Sequence, residues 1–361
     1  MRVVFDGRIF STRMTGIGTF ARDVVSSLMK YQHDIQLLVL CPRQIHSNYK
    51  EWIDEYHVPI VFCPFINRKL PTTLWYHLYS YYVAKKNRAD IYVSPFTDYP
   101  LIWGASIKHI LTVHDVVCKE YRDTMEWKNR IMSYLLFDTS IRRAKNVWCN
   151  SEYTHRTIQK YFPFVSKKNV FVGDSSGEDF CSMKLSEKER SMLLAHFGIK
   201  EKFVLFVGSL EPRKNLQFLL RIAPILYKKT GIQTLIIGAN QWGKTHEDYN
   251  KDAIVFVKHF IETEELVKLY NLAACYVSTS LNEGFGMPQL EAMKCGCPVV
   301  SPNNSAMTEV VSGYGTLVDG WDVGVWIDAI ISEMNREHLP YMGEKYDWKH
   351  ILDDFVKFCE L

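Results

Sequence analysis

The sequence predicts an α/β protein made of two successive parallel-sheet domains. Short apolar runs of strand length alternate with amphipathic stretches of helix length from end to end. The alternation breaks once, in a polar stretch over 174–202 containing DSSGED and SEKERS, and then restarts. The length of 361 residues suits two domains at roughly 150 residues each.

The elements follow in order. Strands are expected at Arg2–Phe5, Ile35–Leu40, Ile60–Cys63, Ile91–Ser94, His109–Val113 and Asn146–Asn150, each a short run of mainly apolar residues. Helices are expected between them at Ile17–Met29, Thr72–Lys86, Trp127–Arg143 and Glu152–Phe162, where apolar residues recur at helical spacing. After a linker with one short helix, strands are expected at Phe203–Val207, Gln233–Ile237, Ile254–Val257, Cys275–Ser278 and Val299–Ser301. Helices are expected from about Asn215, over Thr263–Ala274 and from about Met287, where Gly296 and Pro298 stop the last of them. The boundaries are 1–172 for the first domain, 173–202 for the linker, 203–342 for the second domain and 343–361 for a terminal helix. That helix, led by Tyr346-Asp-Trp348, is too apolar to be free and is expected to pack back across the first domain. Two such sheets side by side would form a cleft at the carboxyl ends of their strands, where open α/β sheets bind ligands.

Composition narrows the function. Apolar residues at 47% and charged residues at 23% are ordinary for a globular chain and exclude disordered, collagen-like and coiled-coil classes. A net charge of +3 excludes a nucleic-acid coat. The halves differ: 1–172 carry 24 basic against 14 acidic residues, and 173–361 carry 19 against 26. The two domains are therefore expected to face different partners. Nine cysteines, odd in number and irregularly spaced, indicate a reducing compartment. Cys295-x-Cys297 lacks a second pair and sits in an apolar stretch, so it is expected in the core. No secretory signal pattern and no 18-residue apolar run is present, which predicts a cytoplasmic protein, at most peripheral at the inner face of a membrane. The stretch Leu74–Val83, rich in aromatics and followed by Lys85, Lys86 and Arg88, suits either core packing or an anionic membrane surface.

Four segments carry chemistry. Thr15-Gly16-Ile17-Gly18 opens a helix after the first strand, where glycine amides and a helix N-terminus favour an anion. Ala21 stands where a dinucleotide fingerprint would need its third glycine, which disfavours a nicotinamide enzyme. His114, just past a strand end in Thr-Val-His-Asp, is placed to contact a substrate hydroxyl or move a proton. Arg213 and Lys214 sit in a strand-to-helix turn, a fork and a point charge suited to a diphosphate. In Asn282-Glu-Gly-Phe-Gly-Met-Pro-Gln-Leu-Glu291, the glycines expose amides before a helix, and Glu283 and Glu291 bracket its positive end.

The spacing Glu283-x7-Glu291 within EGFGMPQLEAMKCGCPVV resembles the signature of the retaining glycosyltransferases of family 4, which have the GT-B fold. The early Thr-Gly-Ile-Gly, Thr-Val-His114-Asp, the turn Gly208…Arg213-Lys214-Asn215, Thr308-Glu-Val-Val…Gly315-Thr-Leu-Val-Asp319 and Tyr346-Asp-Trp348 match in the same order. Met307-Thr308 departs from the small residue and proline often found there. The resemblance implies two Rossmann-like, doubly wound domains facing across a cleft, the first binding the acceptor and the second the nucleotide sugar, with the terminal helix crossing back to the first. It implies that Arg213 and Lys214 bind the diphosphate of a nucleotide sugar and that Glu291 binds its ribose. Glu283 and the amides of Gly284, Phe285, Gly286 and Met287 would surround the sugar, with His114 and Glu283 as the catalytic pair. Gly16 and Gly18 would lie near the phosphates or the acceptor. It implies transfer with retention, no cofactor and no metal, in keeping with the lack of any Asp-x-Asp. EGFGMPQLEAM is most similar to mannosyltransferases, so GDP-mannose is the expected donor. The expected acceptor is a saccharide or a polyprenyl-diphosphate-linked saccharide of bacterial surface-polysaccharide or O-antigen synthesis. Rival expectations are another GT-B enzyme, such as a sugar-nucleotide epimerase or phosphorylase, and a non-catalytic subunit that binds nucleotide sugars.

Overall fold

The computed structural model describes residues 1–63, 71–121, 136–238, 249–259, 261–336 and 339–360. The chain divides into two compact units, one of Met1–Ser175 with Glu344–Leu361 and one of Ser176–Gly343.

The first unit is a seven-stranded sheet. Its strands are β1 (Arg2–Asp6), β2 (Gln36–Cys41), β3 (Ile60–Phe62), β4 (Ile91–Ser94), β5 (Lys108–Val113), β6 (Asn146–Cys149) and β7 (Asn169–Val172). They lie in the order β3-β2-β1-β4-β5-β6-β7, and every pairing is parallel. The register sets Phe5 between Val39 and Val93. Strands covered on both faces read as continuous apolar runs, as β1 and β4 do. The helices are α1 (Gly16–Tyr31), α2 (Ser47–Tyr56), α3 (Thr72–Lys86), α4 (Val117–Glu120) and α5 (Glu152–Tyr161). Thr15 caps α1 and Ser151 caps α5, each accepting a backbone N–H from the first turn.

The second unit repeats the plan with β8 (Phe203–Val207), β9 (Gln233–Ile237), β10 (Ile254–Val257), β11 (Cys275–Val277), β12 (Val299–Pro302) and β13 (Thr316–Val318). Their order is β10-β9-β8-β11-β12-β13, again all parallel. The helices are α6 (Glu187–Phe197), α7 (Leu216–Thr230), α8 (Thr263–Leu272), α9 (Met287–Lys294), α10 (Ser305–Val311) and α11 (Val323–Met334). Ser186 and Glu189 form a reciprocal capping box at the start of α6. Both sheets therefore have the doubly wound arrangement that sequence alternation predicts. In each, the strand order reverses once, between β1 and β4 and between β8 and β11.

Helix α12 (Trp348–Glu360) belongs to the first unit. Trp348, Ile351, Leu352, Phe355 and Phe358 enter the same core cluster as Val3, Phe5, Phe20 and Trp148. The Phe355 ring lies 4.8 Å from that of Trp148 and 5.5 Å from that of Phe171.

Several elements escape the apolar pattern. Helix α2 buries only Tyr49 and Trp52, too few to mark an apolar stripe. Strands β7 and β13 are short, and helices α10 and α11 were not anticipated either. The helix expected at Trp127–Arg143 lies outside the described residues except for 136–143, which are helical. The aromatic run on α3 serves two environments: Trp75 and Tyr76 are in the core, whereas Leu74, Tyr79 and Tyr82 are exposed. No helix among the described residues is long and apolar enough to cross a membrane. Cys295 and Cys297 are buried, and burial pushes both thiols up.

His109 on β5 is buried among Tyr92, Tyr99 and Trp103, with Nε2 3.1 Å from the Tyr76 hydroxyl. Burial, then Arg8 and Arg143, push its pKa down to about 3. An unfolded histidine protonates near pH 6.5 (about). The unfolded chain thus binds the extra proton first, and stability falls as pH drops from about 6.5 toward 3. His109→Phe, which cannot titrate, is expected to flatten the fall of melting temperature between about pH 6.5 and 4. An unchanged slope by calorimetry would assign the acid limb to other groups.

Candidate functional site

The carboxyl ends of β8 and β11 flank the reversal point of the second sheet, the place where such sheets bind ligands. After β8 the chain passes Gly208 into a 3-10 turn at Pro212–Lys214, and Asn215, in the left-handed region at φ 50°, leads into α7. A side chain at Gly238, after β9, would meet the Gly208 carbonyl oxygen at 2.0 Å, so only glycine lets β9 end this close to the turn. After β11 the chain runs through Ser278–Ser280 to Glu283, and Gly286, at φ 105°, caps α9. Two hydrogen bonds lock these loops together: Leu281 N–H donates to the Arg213 carbonyl at 2.8 Å, and the Thr279 hydroxyl to the Lys214 carbonyl at 2.9 Å.

The locked loops bring Arg213, Lys214 and Glu283 into one cluster. Lys214 Nζ donates to Glu283 Oε1 at 2.5 Å, and Arg213 donates to Glu283 Oε2 at 2.9 Å and to the Asn282 carbonyl. The Ser280 hydroxyl donates to Oε1 at 2.6 Å, and the Glu283 N–H donates to Ser305 Oγ at 3.0 Å. Burial alone would raise the Glu283 pKa, but Lys214 and Arg213 outweigh it and hold the carboxyl down at about 2. Glu283 is thus a fixed carboxylate that orients two cations, and it is not a proton carrier near neutral pH. Glu211 lies 3.6 Å from Arg213 at the outer edge.

Glu291 sits one turn into α9 and accepts from the Tyr270 hydroxyl at 2.8 Å. Gly284, Phe285 and Gly286 are buried and Met287 is partly exposed at the start of α9. The second unit therefore gathers the expected donor residues at its reversal point. Ser280, Ser305 and Tyr270 were missed by sequence reasoning. Ser280 stands three residues before Glu283, a legible spacing, whereas Tyr270 and Ser305 reach the site only through the fold.

His114, Gly16 and Gly18 belong to the first unit. His114 Nε2 lies 2.7 Å from the Pro95 carbonyl, which can only accept, so Nε2 carries the proton and Nδ1 is the ring acceptor. Burial pushes its pKa down despite Pro95 and Asp115, so the ring is neutral near pH 7. A side chain at Gly18 would collide with the Tyr49 hydroxyl at 2.1 Å, so this glycine is needed for packing. Gly16 faces open space, with nothing within 4 Å of such a side chain. Among the described residues, no group of three or more His, Cys, Asp or Glu side chains could hold a metal ion.

Together the two sheets and this site define the GT-B class of two-unit α/β proteins. Residues 195–345 match the glycosyl transferases group 1 family, and residues 14–172 match Glycosyltransferase Family 4. The two matches together make the chain a glycosyltransferase. It is 26% identical over 246 residues to the serotype-specific mannosyltransferase WbdA of Escherichia coli, covering 60% of this chain and 29% of that protein. It is 26% identical over 283 residues to the O-antigen chain mannosyltransferase RfbU of Salmonella typhimurium, covering 75% of this chain and 73% of that one. The chain thus spans well under half the length of the first relatives it matches. Its fold is similar to that of Anabaena Alr3699/HepE, solved with UDP and glucose, with a TM-score of 0.69, 15% identity and 99% of each chain covered.

Proposed function

We propose that this chain transfers a hexosyl group from a nucleotide sugar, with GDP-mannose the favoured donor, to a saccharide or polyprenyl-diphosphate-linked saccharide in surface-polysaccharide or O-antigen synthesis. The observation that carries the proposal is the Arg213–Glu283–Lys214 cluster beside the N-terminus of α9. As the glycosidic bond to the diphosphate breaks, negative charge grows on the leaving group. Two preoriented cations and a helix N-terminus stabilise that charge without rearranging. The ammonium of Lys214 has three donors, and the Glu283 contact uses one. Glu291, steadied by Tyr270, would accept the ribose hydroxyls. The amides of Gly284, Phe285, Gly286 and Met287 would line the sugar.

Transfer would retain configuration, as the family resemblance implies, and would use no metal, Arg213 and Lys214 supplying the positive charge that a metal would otherwise bring. The mannosyltransferase names of the relatives support the donor sugar. His114, with Nδ1 as an acceptor, and Gly16 are the first unit's proposed contributions. Exposed Leu74, Tyr79 and Tyr82, with Lys85 and Lys86 in the last turn of α3, are the proposed contact with an anionic membrane.

A thermal-shift screen without added metal tests the donor. GDP-mannose at a hundred times its dissociation constant is expected to add about 2.7 kcal/mol of stability. Glu291→Ala is expected to weaken that shift. A shift from a UDP or dTDP sugar alone would replace GDP-mannose, and no shift from any sugar nucleotide would overturn the function.

A further inference from the structure

The first sheet has its own reversal point, between β1 and β4, and Arg8, Phe96 and Asp98, which lie there, were not among the candidate residues read from the sequence. A cavity of about 240 Å³ opens at it, lined by Arg8, Thr12, Thr72, Thr73, Phe96 and Asp98 among others. That is smaller than the roughly 300–1,000 Å³ of sites for drug-sized ligands and suits a single sugar ring.

Its charge is arranged in an unusual way. Arg8 is 5% exposed, and every guanidinium nitrogen is committed. Nε donates to Asp6, and the two terminal nitrogens donate to Asp98 Oδ2 and Oδ1 at 3.0 and 2.9 Å, with a further contact to Asp6 at 2.7 Å. The guanidinium lies 3.5 Å from the centre of the Tyr76 ring and 4.6 Å from that of Phe96. Tyr76 in turn donates its hydroxyl proton to the Asp98 carbonyl at 2.8 Å. The arginine therefore has no free fork for a phosphate. Two carboxylates against one cation also disfavour any anion. The cavity is lined by a rigid carboxylate, Asp98, still 18% exposed, together with Thr12, Thr72, Thr73 and the aromatic Phe96. Carboxylate oxygens accept from hydroxyls, and an aromatic ring covers the apolar C–H face of a pyranose.

We propose that this cavity is a subsite for one neutral sugar residue of the acceptor, with Asp98 accepting its hydroxyls and Phe96 packing against its ring. The inference rests on the glycosyltransferase reading and refines it: a diphosphate, if the acceptor carries one, is bound elsewhere. Arg8 acts as a positioning residue that holds Asp98.

The test is saturation-transfer NMR and titration of the full chain with the methyl glycosides of mannose, glucose, galactose, rhamnose and N-acetylglucosamine, and separately with a short prenyl diphosphate. At least one glycoside is expected to bind. Asp98→Asn and Phe96→Leu are expected to weaken it at least tenfold, with Thr73→Val as the variant that leaves the ion cluster untouched should Asp98→Asn fail to fold. No glycoside binding, or equal binding in wild type and the folded variants, overturns the subsite. So does prenyl diphosphate binding that these substitutions abolish. Nucleotide-sugar binding by the wild type is read in parallel. Donor binding without glycoside binding sinks this inference alone, whereas loss of both sinks the glycosyltransferase reading beneath it.

Discussion

Lys214→Met is expected to lower transfer by a factor of about 10²–10³, the usual cost of losing one preoriented group at a developing negative charge. The same change strips one of two cationic partners from buried Glu283. Removing one partner of a buried pair costs about 3–5 kcal/mol, and Arg213 at 2.9 Å keeps the loss near the lower figure. Stability and catalysis separate in the double variant Lys214→Met/Glu283→Gln. With no uncompensated carboxylate left, the double variant is expected to recover most of the lost stability and none of the transfer. Urea denaturation and a transfer assay on both proteins check this. If activity returns along with stability, Lys214 serves only to neutralise Glu283. The Glu283 pKa of about 2 adds a pH signature in the wild type. Its paired carboxylate stabilises the fold above about pH 4.5, and that contribution is lost as pH falls toward 2.

Ending the chain after Gly343 is expected to unfold the first unit while sparing the second. The truncation removes Trp348, Ile351, Leu352, Phe355 and Phe358 from the core they share with β1 and α1. Each large apolar side chain buried contributes about 1.5–3 kcal/mol, and the sum rivals the whole stability of about 5–15 kcal/mol of a typical domain. The core built on Val204, Phe206, Ile236 and Trp326 contains no residue of α12. Hydrogen exchange is expected to lose protection across β1–β7 and retain it across β8–β13, with a peptide of residues 344–361 restoring it in trans. Phe355→Ala alone is expected to cost about 3–5 kcal/mol. Equal protection of both sheets in the truncated chain would refute the dependence.

Much of the candidate site was legible because its residues lie close together in the chain. Arg213 and Lys214 are adjacent, and Glu283 through Glu291 form one strand-to-helix segment whose glycines and proline announce a turn. What joins the two segments is not local. The bonds from Leu281 and Thr279 to the turn of Arg213 and Lys214 span 65 residues or more, and only the adjacency of β8 and β11 makes them. That adjacency is also why the two cations meet Glu283, rather than standing apart from it as the linear pattern suggests.

Gly18 illustrates the opposite case. Its place in Thr-Gly-Ile-Gly points to a ligand, yet Tyr49 fills the space where a side chain would be, and no local pattern records that neighbour. The trio of Asp6, Arg8 and Asp98 was invisible for the same reason, since 90 residues separate Arg8 from Asp98.

By itself the sequence determined the class of fold, its two-part division and the family, because these rest on the alternation of apolar runs and on motifs within a single strand–turn–helix. Only the tertiary structure decided which charges neutralise one another and which glycines are packed. Strand order, rather than chain distance, sets which loops meet at a sheet's reversal point, and burial there decides which ion pairs are held.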